Sequence, residues 1–333
     1  MKVAFFDTHA FDRKAFEREF RGCKHELRFI ESRLDPMTAE LARGCEAVCC
    51  FVNDRVDEAA IEKLREAGVR LIALRSAGYN NVDLKAAERT GMTVARVPEY
   101  SPAAVAEHAV ALILTLNRKI HRAHQRVREL NFSLDGLVGF DMAGKTAGLI
   151  GVGRIGKVLA KILTGFSCKV LLYDLKEDPE LVQALGGGAR YTSLEEVYRE
   201  SDIVSLHVPL VPETRHMIDR DAIAQMKPSV LLINTGRGAL IDTSALIAAL
   251  KSHKIGGAGL DVYEEEGGVF FSDHSAEGIG DDVLARLLTF PNVVITSHQG
   301  FLTEEALSNI ASTTRKNLDQ FERGEALDCR VRA

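Results

Sequence analysis

The chain has 333 residues, a length that the usual domain-size prior divides into about two domains. It is 46% hydrophobic and 27% charged, the make-up of an ordinary globular protein. A formal net charge of −5 offers no field for nucleic acid or an acidic membrane surface, so neither is expected as a partner.

No apolar run approaches the roughly 18 residues of a membrane span. The opening "MKVAFFDTHAFDRKAF" has one lysine, a short apolar run and then charges, which is not the pattern of a signal peptide. The six cysteines (23, 45, 49, 50, 168 and 329) have neither CxxC spacing nor the density of a disulfide scaffold. Reduced thiols in the cytoplasm and no bound metal are the expectation.

Strand-like and helix-like segments then alternate. "KVAFFD" (2–7) predicts a strand, followed by a helix near 12–20, a strand at 26–32 and a helix near 37–43. Next come a strand at 47–52, a helix at 57–68, a strand at 70–76, a helix at 83–91 and a strand at 93–98. Short apolar strands alternating with amphipathic helices signal βαβ units and a parallel sheet.

"SPAAVAEHAVALILTLNRKIHRAHQRVREL" (101–130) breaks the rhythm. Ser101 can cap a helix whose first turn tolerates Pro102, and Val105, Ala109, Leu112, Ile113 and Leu116 follow helical spacing. It reads as one long helix connecting two lobes, with Glu107 and His108 as polar residues of a packed face.

A second α/β series follows, with strands predicted at 146–153, 169–174, 202–209, 230–236, 256–263 and 292–298. A polar amphipathic helix from Thr303 to about Glu322 closes it. Thr303 can cap that helix, with Glu304 and Glu305 in the first turn, where carboxylates favour the dipole.

Chemistry enters with "GLIGVGRIGKVLAKIL", where Gly151, Gly153 and Gly156 stand in G-x-G-x-x-G spacing between a strand and a helix. The first glycine permits a tight turn and the second a close approach to a pyrophosphate. The third lets helix pack on strand, and the helix N-terminus faces the negative charge. Alone the motif also fits plain turns. The following strand, however, ends in Asp174, 18 residues beyond Gly156, where a carboxylate accepts hydrogen bonds from ribose hydroxyls. Asp174 would repel a 2′-phosphate, so NAD is favoured over NADP, although Lys176 lies close by.

Three further strand ends carry a reactive set, where open α/β sheets place their ligands. Arg237 stands between two glycines in "NTGRGAL"; its fork suits bidentate capture of a carboxylate, and the bare flanks let a flat group approach. Asp261 and Glu266 follow in "LDVYEEE", and His298 closes "NVVITSH". Taken singly, each has a commoner use: a helix-capping arginine, a solvated acidic loop, a structural histidine. Together they supply what hydride reduction of a 2-keto acid needs besides a cofactor. That is a fixed cation for the carboxylate, and a proton donor titrating near neutrality that a carboxylate can orient.

"GLIGVGRIG", "LLYD", "HVPLVPET", "NTGRGALID", "GLDVYEEE" and "TSHQGFLT" occur in an order and spacing that resembles the D-isomer-specific 2-hydroxyacid dehydrogenases. "LRSAGYNNVDL" and "FFSDHSAEGIGDDVLARLL" resemble the lactate branch of that family. The resemblance covers essentially the whole chain.

It implies an α/β fold of two Rossmann-like parallel-sheet domains around a cleft. A flavodoxin-like substrate domain would be formed by residues 1–100 plus 300–333, and an NAD-binding Rossmann domain by 101–299. It implies Arg237 as carboxylate clamp, His298 as proton donor and Glu266 holding the imidazole. Amides of Ala77 and Gly78 would share the carboxylate, and Tyr100 would line the pocket. Gly151, Gly153, Arg154, Ile155 and Gly156 would receive the pyrophosphate, and Asp174 the adenosine ribose. Val208, Pro209, Thr235, Gly236 and Asp261 would surround the rest of the dinucleotide. Thr214 stands where many lactate enzymes carry asparagine beside the cofactor, which puts that contact in doubt. Gly300 replaces a more usual alanine, with a looser loop before Phe301 as the expected result.

NADH-dependent reduction of pyruvate to D-lactate by a homodimer or homotetramer is the function implied. The alternatives are another 2-keto acid (2-ketoisocaproate, phenylpyruvate or hydroxypyruvate) and a non-enzymatic NADH sensor, against which the intact Arg–Glu–His set argues.

Overall fold

The chain begins with β1 (Lys2–Phe5), in which Val3, Ala4 and Phe5 are wholly buried, as a parallel strand covered on both faces requires. The computed structural model describes residues 1–333. They divide into one unit of Met1–Ser101 with Phe301–Ala333 and a second of Pro102–Gly300.

In the first unit α1 (Ala10–Glu19), β2 (Glu26–Phe29), β3 (Ala47–Cys50), α2 (Glu58–Glu66), β4 (Leu71–Leu74), α3 (Leu84–Arg89) and β5 (Thr93–Ala95) follow in turn. The helix predicted near 37–43 is only a short 3₁₀ turn, Ala39–Ala42. Just before it, Asp35 accepts hydrogen bonds from the Met37 and Thr38 amides, and Thr38 donates to the Arg33 carbonyl. Side chains that occupy the backbone in this way compete with helix formation.

The second unit starts at α4 (Pro102–Arg118). The single long helix predicted to residue 130 is broken: Lys119 adopts the left-handed conformation (φ 50°, ψ 39°), and α5 (Ile120–Arg128) starts as a separate helix. Returning chain holds the break in place. Asn117 bonds both the amide and the carbonyl of Phe140, and Lys119 reaches the Val138 carbonyl.

Then come β6 (Thr146–Ile150), α6 (Arg154–Gly165), β7 (Lys169–Tyr173), α7 (Pro179–Ala184), β8 (Ala189–Tyr191) and α8 (Leu194–Glu200). β9 (Ile203–Leu206), α9 (Arg220–Gln225), β10 (Leu231–Asn234), α10 (Thr243–Lys251), β11 (Gly257–Leu260), α11 (Asp282–Leu288) and β12 (Val293–Ile295) complete the unit. β8 was not predicted; it is three residues long with one buried side chain, too little for a periodic signal. The chain then returns to the first unit through α12 (Glu304–Glu322), capped by the Thr303 hydroxyl on the Ala306 amide, and β13 (Arg330–Val331).

Both sheets follow doubly wound orders. The first unit runs β13-β5-β4-β3-β1-β2, parallel except for the two-residue β13, which is the flavodoxin-like order. The second runs β12-β11-β10-β9-β6-β7-β8, all parallel, the order of a dinucleotide-binding sheet reversing between β6 and β9. Its strands feed a core on each face: Leu232 points to one, and Leu231 and Ile233 to the other.

Candidate active site

In the second unit the residues singled out from sequence leave the carboxyl ends of β6, β7, β9, β10, β11 and β12. That is the edge where doubly wound sheets bind ligands.

At the reversal point, Gly151 has a positive φ of 93°, and a Cβ there would lie 2.6 Å from the His207 carbonyl carbon. A Cβ on Gly156 would lie 2.2 Å from the Gly151 oxygen, so this glycine brings helix onto strand. Gly153 is the N-cap of the 12-residue α6, offers no capping side chain, and has open space where its Cβ would be. A helix N-terminus thus faces outward on bare backbone, the arrangement a pyrophosphate requires. Asp174, just past β7, accepts from the Val152 amide at 2.6 Å and the Lys176 amide at 3.1 Å, which fixes the carboxylate beside the loop. The Thr235 hydroxyl beyond β10 is buried with no hydrogen-bond partner in the chain. Two glycines that need their bareness, a third that leaves the helix N-terminus uncovered, and an orphaned hydroxyl on the same edge fit a dinucleotide. Thr214 is engaged otherwise: its hydroxyl bonds the Pro209 carbonyl (2.7 Å) and the Val211 amide (2.9 Å), closing its own turn.

Arg237 follows β10 in extended backbone. Its guanidinium makes one hydrogen bond, to the Gly236 carbonyl at 2.8 Å, and pairs with no carboxylate of the chain. Buried Asn234 sets this turn, accepting from the Gly236 amide and donating to the Arg237 carbonyl. The bare flanks, however, are not both for a ligand. A Cβ on Gly238 would lie 2.1 Å from the Tyr263 carbonyl carbon, so that glycine admits the chain's own backbone, the segment leading to Glu266.

The acidic triplet 264–266 is sorted by its surroundings. Glu264 pairs with His216 (2.6 Å) and Arg215 (3.2 Å) and accepts from Thr243 (3.1 Å). Glu265 is exposed. Glu266 Oε1 lies 2.9 Å from Nδ1 of His298, and both side chains are less than one-fifth exposed. His298 has a left-handed backbone (φ 55°) and its ring tilts against Phe271 at 6.0 Å.

Asp261 holds the turn carrying His298. Its carbonyl accepts from the His298 amide (2.7 Å), Oδ1 from the Gln299 amide (2.8 Å), and Oδ2 from the Gly300 amide (2.8 Å). Burial alone would raise the Asp261 pKa. Hydrogen bonds from His108, Thr296 and Gly300 outweigh it and hold the carboxyl below its ordinary value. Gly300 does not loosen this loop. It is buried and tied, and a Cβ would come within 2.9 Å of Asp261 Oδ2. Sequence reasoning passed over Asn234 as a turn-setter and treated His108 as packing; a polar residue on an otherwise apolar helix stripe was the available signal for the latter.

In the first unit, the carbonyls around Ala77 and Gly78 are used: Arg96 donates to the Ala77 oxygen (2.8 Å) and Ser76 to the Gly78 oxygen (2.8 Å). The amides of both residues donate to no backbone or side-chain acceptor. Tyr100 meets Phe301 edge-on at 6.3 Å, and Phe301 also contacts Phe11 and Phe51.

Comparison with known proteins agrees with this reading. Residues 110–300 match the D-isomer specific 2-hydroxyacid dehydrogenase, NAD binding domain, family. D-lactate dehydrogenase of Escherichia coli is 50% identical over 98% of each chain. Among solved structures, the pyruvate reductase of Chlamydomonas reinhardtii superposes with a TM-score of 0.92 at 46% identity, over 98% of both chains. D-lactate dehydrogenase of Lactobacillus jensenii with NAD+ gives 0.82 at 34% identity over the full length of both.

Proposed function

We propose that this chain, which belongs to the D-isomer specific 2-hydroxyacid dehydrogenase family and is an NAD-dependent D-2-hydroxyacid dehydrogenase, reduces pyruvate to D-lactate. The carrying observation is the His298–Glu266 pair at 2.9 Å on the same strand-end edge as the ion-pair-free guanidinium of Arg237. The likeness to D-lactate dehydrogenases and to a pyruvate reductase along the whole chain supports pyruvate as the keto acid.

NADH, when bound, supplies the hydride for the carbonyl carbon. Arg237 takes the substrate carboxylate in a bidentate grip that fixes which face of the carbonyl is presented. Glu266 occupies Nδ1 of His298 and so fixes the ring and leaves Nε2 for the carbonyl oxygen. Nε2 gives up its proton as that oxygen becomes a hydroxyl, and the imidazolium becomes neutral imidazole. In lactate oxidation the same nitrogen removes the hydroxyl proton. The free amides of Ala77 and Gly78 are assigned to the same carboxylate, and Tyr100 with its aromatic neighbours to the wall around the substrate methyl. Gly151, Gly153, Arg154, Ile155, Gly156, Asp174, Val208, Pro209, Thr235, Gly236 and Asp261 are assigned to the dinucleotide. Thr214 is assigned to shaping the loop that borders it.

A homo-oligomer is part of the proposal. Ile120, Val127, Leu130, Phe132, Leu134 and Val138 are all exposed on α5 and the segment after it. A run of apolar side chains of this extent marks an interaction surface. The six unpaired cysteines suit a reducing compartment, and we assign the protein to the cytoplasm.

The test is initial-rate kinetics with NADH and a panel of 2-keto acids, with the product's handedness determined. Pyruvate should give the highest kcat/KM and D-lactate. A preference for a bulkier keto acid would replace pyruvate, and no turnover on any of them would overturn the proposal.

A further inference from the structure

His108 interrupts an otherwise apolar face of α4. Ala104, Val105, Ala109, Leu112 and Ile113 around it are buried, and a leucine at 108 would complete the stripe. An imidazole inserted among them must be desolvated, which is unfavourable unless its nitrogens find partners.

The partner is the residue that holds the turn bearing His298. His108 Nε2 lies 2.9 Å from the Thr296 hydroxyl and 3.2 Å from Asp261 Oδ1. Thr296 has one proton, and its hydroxyl stands 2.6 Å from Asp261 Oδ1 with the geometry of a donor. The threonine oxygen is therefore an acceptor toward His108, and Nε2 carries the hydrogen. That hydrogen is shared between the Thr296 oxygen and Asp261 Oδ1. The Asp261 side chain is only 2% exposed, and no lysine or arginine pairs with it; the His108 ring nitrogen is its basic neighbour. The Gly300 position belongs to the same knot, since a Cβ there would lie 3.5 Å from His108 Cδ2 as well as against Asp261.

We propose that His108 is a positioning residue for hydride transfer. By donating to Asp261 and Thr296 it holds the carboxylate that anchors residues 298–300, and so sets where the His298 imidazole stands. A left-handed residue such as His298 carries backbone strain. The amide bonds to Asp261 oppose that cost, and they depend on a carboxylate held from the far side by α4. The inference rests on the catalytic role given to His298 above, and its test has a part that does not need turnover.

His108→Phe keeps ring volume and removes the donor, whereas His108→Gln restores an amide N–H able to reach Asp261. In His108→Phe, kcat with pyruvate should fall about 10- to 100-fold, the scale of a small misplacement of a reacting group, with KM for pyruvate little changed because Arg237 is untouched. His108→Gln should recover most of kcat. Independently, hydrogen–deuterium exchange of the Gln299 and Gly300 amides should quicken in His108→Phe and return toward wild type in His108→Gln. If the wild-type protein turns over no keto acid, the functional reading fails while the exchange comparison still decides the positioning role. Should His108→Phe not fold, His108→Asn, too short to span the gap, replaces it in the comparison with Gln. Unchanged exchange and kcat in the donor-free variant, or equal damage in both variants, would overturn the proposal.

Discussion

Gly238 and Tyr263 touch backbone to backbone: a single Cβ on the glycine would stand 2.1 Å from the tyrosine carbonyl carbon. The contact joins the strand end that carries Arg237 to the segment that carries Glu266. One methyl group would therefore drive apart two parts of the proposed reactive set. Gly238→Ala should cost on the order of 1–3 kcal/mol of stability and lower kcat/KM for the keto acid. Urea unfolding and steady-state rates measured together check this; a variant matching wild type in both would remove the contact's importance.

His298→Gln retains a hydrogen-bonding side chain of similar reach but has no proton to give. Turnover should fall by about 10²–10⁴-fold. NADH titration followed by fluorescence should still show binding. Near-normal turnover would refute His298 as donor.

Replacing Arg237 by lysine keeps the charge and loses the planar fork. KM for pyruvate should rise sharply while the dinucleotide still binds, because a point charge cannot reproduce two parallel hydrogen bonds. An unaltered KM would count against the clamp.

The direction of catalysis should respond to pH in opposite senses. In the proposed mechanism reduction takes up a proton through His298 and oxidation releases one, so the reduction rate at saturating NADH should decline as pH rises while lactate oxidation increases. Flat profiles in both directions would contradict the assignment.

Asp54 supplies a stability prediction away from the reactive set. Burial pushes its carboxyl up to about 7, against the opposing pull of Arg75 and of the Leu34 and Phe51 amides. The unfolded chain releases this proton near the ordinary value of 3.8, so between there and about 7 the folded state binds more protons than the unfolded state. Stability must then fall as pH rises through that window and level off above it. Asp54→Asn cannot ionise, so urea unfolding across the window should show the variant gaining on wild type by on the order of a few kcal/mol. Parallel profiles would show that Asp54 titrates normally.

Much of the architecture was legible because parallel strands are buried on both faces and read as short apolar runs, while crossover helices show their own period. The breaks were not legible. Nothing local to Lys119 ends the helix predicted to residue 130; Asn117 and Lys119 bind a segment some twenty residues on. Likewise "EEE" offers three chemically equal carboxylates, among which only the family resemblance singled out Glu266; the structure supplies the reason, with His216, Arg215 and Thr243 taking Glu264 and His298 taking Glu266.

By itself the sequence determined the alternation of elements, the glycine-lined turn after β6, and the residue types at the strand ends, since these depend on spacing and side-chain chemistry within short windows. Only the tertiary structure decided that Gly238 is bare for Tyr263, that Gly300 is bare for Asp261, and that His108 faces Asp261 from another element. Each joins residues far apart in the chain, and a contact made by packing across a sheet leaves no periodic trace along it.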